Sequence, residues 1–223
     1  MKIAEIFYSV QGEGTLVGVP SVFVRTSGCN LRCSWCDTPY TSWNPEGAQR
    51  SPESILAEVL SHPARHVVLT GGEPLIAPEA VALTEAFRAA GLHITVETAG
   101  TVFAPVACDL MSISPKLANS TPLDPKWAPV HERTRLNLET LRRLMEYPYQ
   151  LKFVVAAPSD LDEINELVAA LAAPPANVLL MPEGRAPEQL RDRAQWLVPL
   201  CLKHGYRYSP RVHVDSWGDR RGV

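Results

Sequence analysis

Short apolar, β-branched runs alternate with amphipathic stretches along this chain. Ser21–Thr26 (SVFVRT), His66–Thr70, His93–Glu97, Leu110–Ser114, Gln150–Val155 and Val178–Met181 read as strands. Between them the pattern predicts a helix from Ser51 to about Ser61, with Ser51 as N-cap and Pro52 in its first turn. Further helices are expected over Pro78–Ala90, closed by Gly91, and over Asn137–Glu146. Two more follow, one capped by Ser159-Asp160 and running to about Leu171, the other over Ala186–His204. Tyr206–Tyr208 and Val212–Val214 read as short final strands. Strands alternating with helices of this length imply βαβ units and a parallel sheet. About six strands point to an α/β fold, an incomplete (β/α)6-type TIM-like barrel open on one side. Chemistry in such folds sits at the carboxyl ends of the strands. The sequences there are SGCNLRCSWC, TGGEP, ETAG and SPK.

The 223 residues, 46% of them apolar, suffice for one sizeable core. No linker or low-complexity run divides them, so a single domain over 1–223 is expected, with the 20 prolines in turns and helix ends. Net charge is −3 and no basic stripe stands out, which speaks against nucleic acid as a partner. The four arginines between Arg133 and Arg143 are mixed with Glu132 and Glu139 and read as a solvated helix face. No apolar run reaches the roughly 18 residues of a membrane span, and the N-terminus lacks a secretory signal's apolar segment. A cytoplasmic location follows, in which the five cysteines point to free thiols, metal or redox chemistry before disulfides.

Cys29, Cys33 and Cys36 pack three thiols into eight residues directly after a strand. Thiolates this close suit zinc or an iron–sulfur cluster, and both ordinarily want four ligands. Cys108 and Cys201 lie far off in apolar surroundings and read as small buried hydrophobes. His62, His66 or His93 could complete a zinc site. Alternatively, three ligands on a cubane leave one iron open to the amine and carboxylate of an amino acid.

Cys-x-x-x-Cys-x-x-Cys after the first barrel strand resembles the signature of the radical S-adenosylmethionine enzymes. That resemblance implies a [4Fe–4S] cluster on Cys29, Cys33 and Cys36, which reduces S-adenosylmethionine to give a 5′-deoxyadenosyl radical. It also implies that Trp35, before the last cysteine, lies near the adenine, and that Gly72-Glu73 of the GGEP segment binds the methionine end. Asp37, Glu97, Ser114 and Lys116 are the other S-adenosylmethionine contacts it suggests.

Within that superfamily, Ser9-Val10-Gln11-Gly12-Glu13-Gly14 just before the first barrel strand is similar to the 7-carboxy-7-deazaguanine synthases. Phe23-Val24-Arg25, Cys36-Asp37-Thr38-Pro39, Leu151–Val155 and the arginine-rich end Trp217–Gly222 extend the likeness over most of the chain. The family converts 6-carboxy-5,6,7,8-tetrahydropterin to 7-carboxy-7-deazaguanine with loss of ammonia, on the route to queuosine and other deazapurines. The likeness implies that Val10, Gln11, Gly12, Glu13, Arg25 and Thr70 contact the pterin, Arg25 through its planar fork. Thr38 is implied as a Mg²⁺ ligand, a hydroxyl oxygen suiting that hard ion. Arg221, His213 and the chain end are candidates to reach the substrate. A reducing flavodoxin or ferredoxin and a homodimer are the implied partners. Two rivals remain: an activating enzyme that places a glycyl radical on a partner protein, and a non-enzymatic zinc or iron–sulfur module.

Overall fold

The computed structural model describes residues 1–223. In chain order its elements are β1 (Lys2–Val10), β2 (Pro20–Thr26), α1 (Pro39–Ser42), β3 (Ala48–Gln49), α2 (Pro52–Leu60), β4 (His66–Gly71), α3 (Ala80–Ala89) and β5 (His93–Thr98). There follow β6 (Leu110–Ile113), α4 (Ala128–Thr134), α5 (Leu138–Leu144), β7 (Tyr149–Val155), α6 (Asp160–Leu171), β8 (Val178–Pro182), α7 (Pro187–His204), β9 (Arg207–Tyr208) and α8 (Val212–Trp217).

All strands join one sheet in the order β3-β1-β2-β4-β5-β6-β7-β8-β9. From β2 to β9 every pairing is parallel, while β1 runs antiparallel to both β2 and β3. The six expected strands form the centre of this sheet, which is not closed into a barrel. The β-branched centres of these strands, with the apolar sides of the helices, build a core of 36 buried residues. Local signals act as expected at several ends. Ser51 Oγ accepts from the Ser54 N–H at 3.3 Å and caps α2, and Gly91 leaves α3 at φ +72°.

Besides the short α1 and β3, which the pattern did not signal, three elements differ from the expectation. Residues 2–10 form the longest strand, hidden in the sequence by Glu5; that carboxylate is neutralised within the fold by Arg25 at 2.6 Å and by the Tyr40 hydroxyl at 2.8 Å. Val212–Val214 is helical, not extended: the Arg211 carbonyl accepts from the Val214 and Asp215 N–H groups, so the V-H-V alternation is overridden by local bonds. The helix α4 was not signalled; Asp124 nucleates it by accepting from the Lys126 and Trp127 N–H groups. At α6 the cap differs as well. The Ser159 side chain makes no capping bond, and Asp160 instead turns its carboxylate to the Ala156 N–H at 2.8 Å.

Candidate active site

The cysteine loop leaves β2 and is built against backbone from the neighbouring strand end. The Gly28 N–H donates to the Thr41 carbonyl at 2.8 Å, and the Gly28 carbonyl accepts from the Glu73 N–H at 2.9 Å. A Cβ on Gly72 would stand 2.2 Å from the Gly28 oxygen and 2.8 Å from Cys29 Cβ, so only glycine lets the end of β4 lie on this loop. Other groups hold the loop from outside. Trp43 Nε1 donates to the Cys33 carbonyl at 3.1 Å, and Trp35 Nε1 to the Asn119 carbonyl at 3.1 Å. His131 is buried, and its Nδ1 accepts from the Arg32 N–H at 3.1 Å, which leaves Nε2–H for Ser120 Oγ at 2.9 Å. Arg185 donates to the Cys36 carbonyl.

All five thiols are free. Burial pushes the Cys29 thiol up to about 11 and the Cys33 thiol up to about 12, so iron binding displaces their protons. The donor set suits an iron–sulfur cluster: three free thiols of one loop line one cavity, and no fourth protein ligand stands beside them. Cys108 is buried and its Sγ contacts the Ile94 carbonyl, and Cys201 lies within α7. His66 and His93 begin β4 and β5, at the sheet end opposite the cysteines, with ring centroids 4.6 Å apart. His62 stacks on Tyr8.

The three cysteines form one wall of a cavity of about 480 Å³ at the carboxyl ends of the strands. Facing them is a network of charges. Thr70 Oγ1 donates to Glu97 at 2.8 Å and Gln11 Nε2 to its other oxygen at 3.2 Å, while Gln11 Oε1 accepts from the Glu13 N–H at 3.1 Å. Lys152 binds one Glu13 oxygen, and Arg211 Nε holds the other at 2.9 Å. Arg211 also reaches Asp37 at 2.5 Å. Burial alone would raise the Glu13 carboxyl, but Lys152, Arg211 and His213 outweigh it and hold it far below the usual carboxylate range. For Lys152, burial opposes the charge and the Glu13 and Glu97 carboxylates prevail, so its ammonium is held above its ordinary range.

The cavity brings together Val10, Gln11, Gly12, Glu13, Arg25, Cys29, Cys33, Trp35, Cys36, Asp37, Thr38, Thr70, Gly72, Glu97, Ser114 and Lys116. Thr38 makes no capping bond to α1, and its hydroxyl borders the cavity 3.9 Å from Cys36 Sγ. The Glu73 side chain lies apart from these. It is fully buried, and its carboxylate is taken by the Thr98 hydroxyl at 2.8 Å, the Ala99 N–H at 2.8 Å and the Leu75 N–H at 3.1 Å. It therefore braces the ends of β4 and β5 behind the cavity wall. Within the cavity, Glu97 is bonded to Gln11 and Thr70. Lys152, Arg185 and Arg211 line the cavity too, and the sequence reading assigned them no role. A signal existed for Lys152, the lone charge in the strand YQLKFVV. His213 and Arg221 border the cavity as well.

A mostly parallel sheet carrying a three-cysteine loop at the end of β2, its first parallel strand, defines a radical enzyme of the S-adenosylmethionine class, and residues 23–147 match the Radical SAM superfamily. The chain is 50% identical to a 7-carboxy-7-deazaguanine synthase of Halobacterium salinarum, over 98% of this chain and 91% of that protein. It is 48% identical to one of Rhodopirellula baltica, over 100% of this chain and 89% of the relative. The crystal structure of QueE from Escherichia coli superposes with a TM-score of 0.72 at 27% identity, covering 95% of this chain and 94% of the other. The chain belongs to the 7-carboxy-7-deazaguanine synthase family.

Proposed function

We infer that this chain is a lyase that converts 6-carboxy-5,6,7,8-tetrahydropterin to 7-carboxy-7-deazaguanine and ammonia in deazapurine biosynthesis. The observation that carries the reading is the cavity itself, which sets three free thiols opposite an ionised carboxylate braced by two cations. When bound, the cluster supplies the single electron that cleaves S-adenosylmethionine and opens hydrogen-atom chemistry on the substrate.

The chain's own residues bind and orient. Cys29, Cys33 and Cys36 hold the cluster. Gly72 offers backbone to the methionine end of S-adenosylmethionine, and Ser114 and Lys116 offer polar groups beside Trp35. Lys116 Nζ stands 5.8 Å from the Trp35 ring centre. Glu13 serves as a pure acceptor for the adjacent N–H donors of an aminopyrimidinone, with Gln11, Thr70 and Glu97 along the same edge. Arg25 faces the substrate carboxylate, and the Thr38 hydroxyl serves Mg²⁺. The whole chain acts as one domain in the cytoplasm, as a homodimer, with a reducing flavodoxin or ferredoxin as electron source. No helix is long and apolar enough to cross a membrane.

The test is anaerobic reconstitution with iron and sulfide, then incubation with the pterin, S-adenosylmethionine, Mg²⁺ and a reductant. Formation of 7-carboxy-7-deazaguanine by mass spectrometry is expected. Cleavage of S-adenosylmethionine without any deazaguanine would refute the substrate.

A further inference from the structure

We propose that Ser42 is a positioning residue for the cluster: its hydroxyl donates to the Cys36 sulfur and raises the potential at which the cluster takes up its electron. The inference rests on the reading of Cys36 as an iron ligand. Ser42 is the last residue of α1, lies outside the cysteine motif, is 2% exposed and borders the cavity. Its Oγ stands 3.2 Å from Cys36 Sγ and makes no other hydrogen bond in the structure. The neighbouring Thr41 is different, since its hydroxyl is satisfied locally by the Thr38 carbonyl at 2.9 Å.

The direction of the bond follows from elementary chemistry. A buried hydroxyl that meets one partner gives its proton to that partner. A thiol could donate in return, but a cysteine that carries iron is a thiolate and has no proton to give. With metal bound, Ser42 is therefore the donor and the sulfur the acceptor. Adding an electron to the cluster increases negative charge on its sulfurs, so this bond is stronger in the reduced state. Hydrogen bonds to the sulfurs and outer-shell contacts set cluster potentials in this way. A low local dielectric enlarges the effect.

Ser42 is also held in place on both sides. The Thr41 carbonyl accepts from the Gly28 N–H at 2.8 Å at the start of the cysteine loop, and the next residue, Trp43, bonds the Cys33 carbonyl. The short helix thus spans the loop that it serves. Of the other two sulfurs, Cys29 accepts from the Leu31 backbone N–H at 3.3 Å. No side chain makes an equally short bond to a cysteine sulfur of the cluster loop: Thr38 Oγ1 stands at 3.9 Å from Cys36.

The experiment compares wild type with Ser42→Ala, Ser42→Thr and Ser42→Val after anaerobic reconstitution, without S-adenosylmethionine or pterin. Iron per chain is measured first, then the midpoint potential by a redox titration followed by paramagnetic resonance. Threonine and valine share a shape and differ by the hydroxyl, so that pair separates hydrogen bonding from packing. At the wild-type midpoint, Ser42→Ala and Ser42→Val should show a reduced-to-oxidised ratio about tenfold lower, a shift of about 59 mV to more negative potential for a one-electron couple. Ser42→Thr should stay near wild type. Loss of iron from the alanine and valine variants alone would equally support the hydroxyl as what holds Cys36. Unchanged midpoints at full iron content in both hydroxyl-free variants would overturn the proposal. A wild-type chain that takes up no cluster would instead sink the ligand assignment beneath it.

Discussion

Lys152 shows how one side chain can set the chemistry of a wall it shares. It is 4% exposed, binds one Glu13 oxygen and stands 3.9 Å from Glu97. Breaking a buried ion pair costs about 3–5 kcal/mol when the remaining charge is stranded. Glu13 keeps Arg211, so Lys152→Met should cost at or below the lower end of that range, read by urea unfolding of the iron-free protein. The functional effect has a definite sign. Removing the nearest cation takes away the largest attraction that holds the Glu13 carboxyl down, so its pKa rises. As pH falls, pterin binding should then begin to weaken, and KM to rise, at a higher pH in Lys152→Met than in wild type. A parallel profile in both proteins would remove Glu13 from the acceptor role. Lys152 was missed in the sequence because its neighbours Leu151, Phe153 and Val154 read as a core strand, which they are. Its partners lie far away in sequence, with 139 positions separating it from Glu13. The same holds for Arg211, which reaches Glu13 across 198 positions. Pairings of that range follow from topology and leave no local trace.

Among the elements, legibility followed periodicity. The six buried parallel strands were evident because both faces are covered and their β-branched runs are continuous. The strand β1 escaped because it is half-buried along most of its length and carries Glu5 at mid-strand. The helix α4 (APVHERT) buries only His131 and so shows no apolar stripe, whereas the equally short α5 buries Leu141 and Leu144. At the GGEP segment Gly72 lies against the cysteine loop, and the Glu73 carboxylate turns away from the cavity. A prediction belongs to this junction. Gly72→Ala would force a Cβ into the Gly28 carbonyl, and neither backbone can retreat without lifting β4 from the loop. Overpacking of this kind costs about 1–3 kcal/mol. Iron content after reconstitution should fall well below that of wild type, with a lower Tm for the apoprotein. Full iron loading at an unchanged Tm would show that the contact is dispensable.

At the scale of the whole molecule, the sheet divides its labour between its two ends. The cysteine loop, Thr70, Glu97, Ser114 and Lys116 gather at the carboxyl ends of the strands, and substitutions there should act on chemistry. The amino ends should act on stability alone, and His66 with His93 offers the test. These rings begin adjacent strands in register, and both Nδ1 atoms are buried without a hydrogen-bond partner. Burial first, and then the neighbouring His93, hold the His66 imidazole below its ordinary range, with Asp109 opposing weakly. The unfolded chain therefore takes up this proton before the folded chain does. The stability that the neutral His66 allows is complete above the ordinary histidine value of about 6.5 and is lost as pH falls through it toward the folded-state value. His66→Val removes the titrating group, suits a strand start and breaks no hydrogen bond. Its Tm relative to wild type should thus be higher at pH 5.5 than at pH 8. The relative gain should stay within about 2–4 °C, the change that 1 kcal/mol makes in a chain of this size. At pH 7.5 the turnover of the reconstituted enzyme should be unchanged, because the histidine pair lies at the sheet end away from the cavity. An equal Tm difference at both pH values would break the link to His66 titration, and a loss of turnover would break the separation of the two ends.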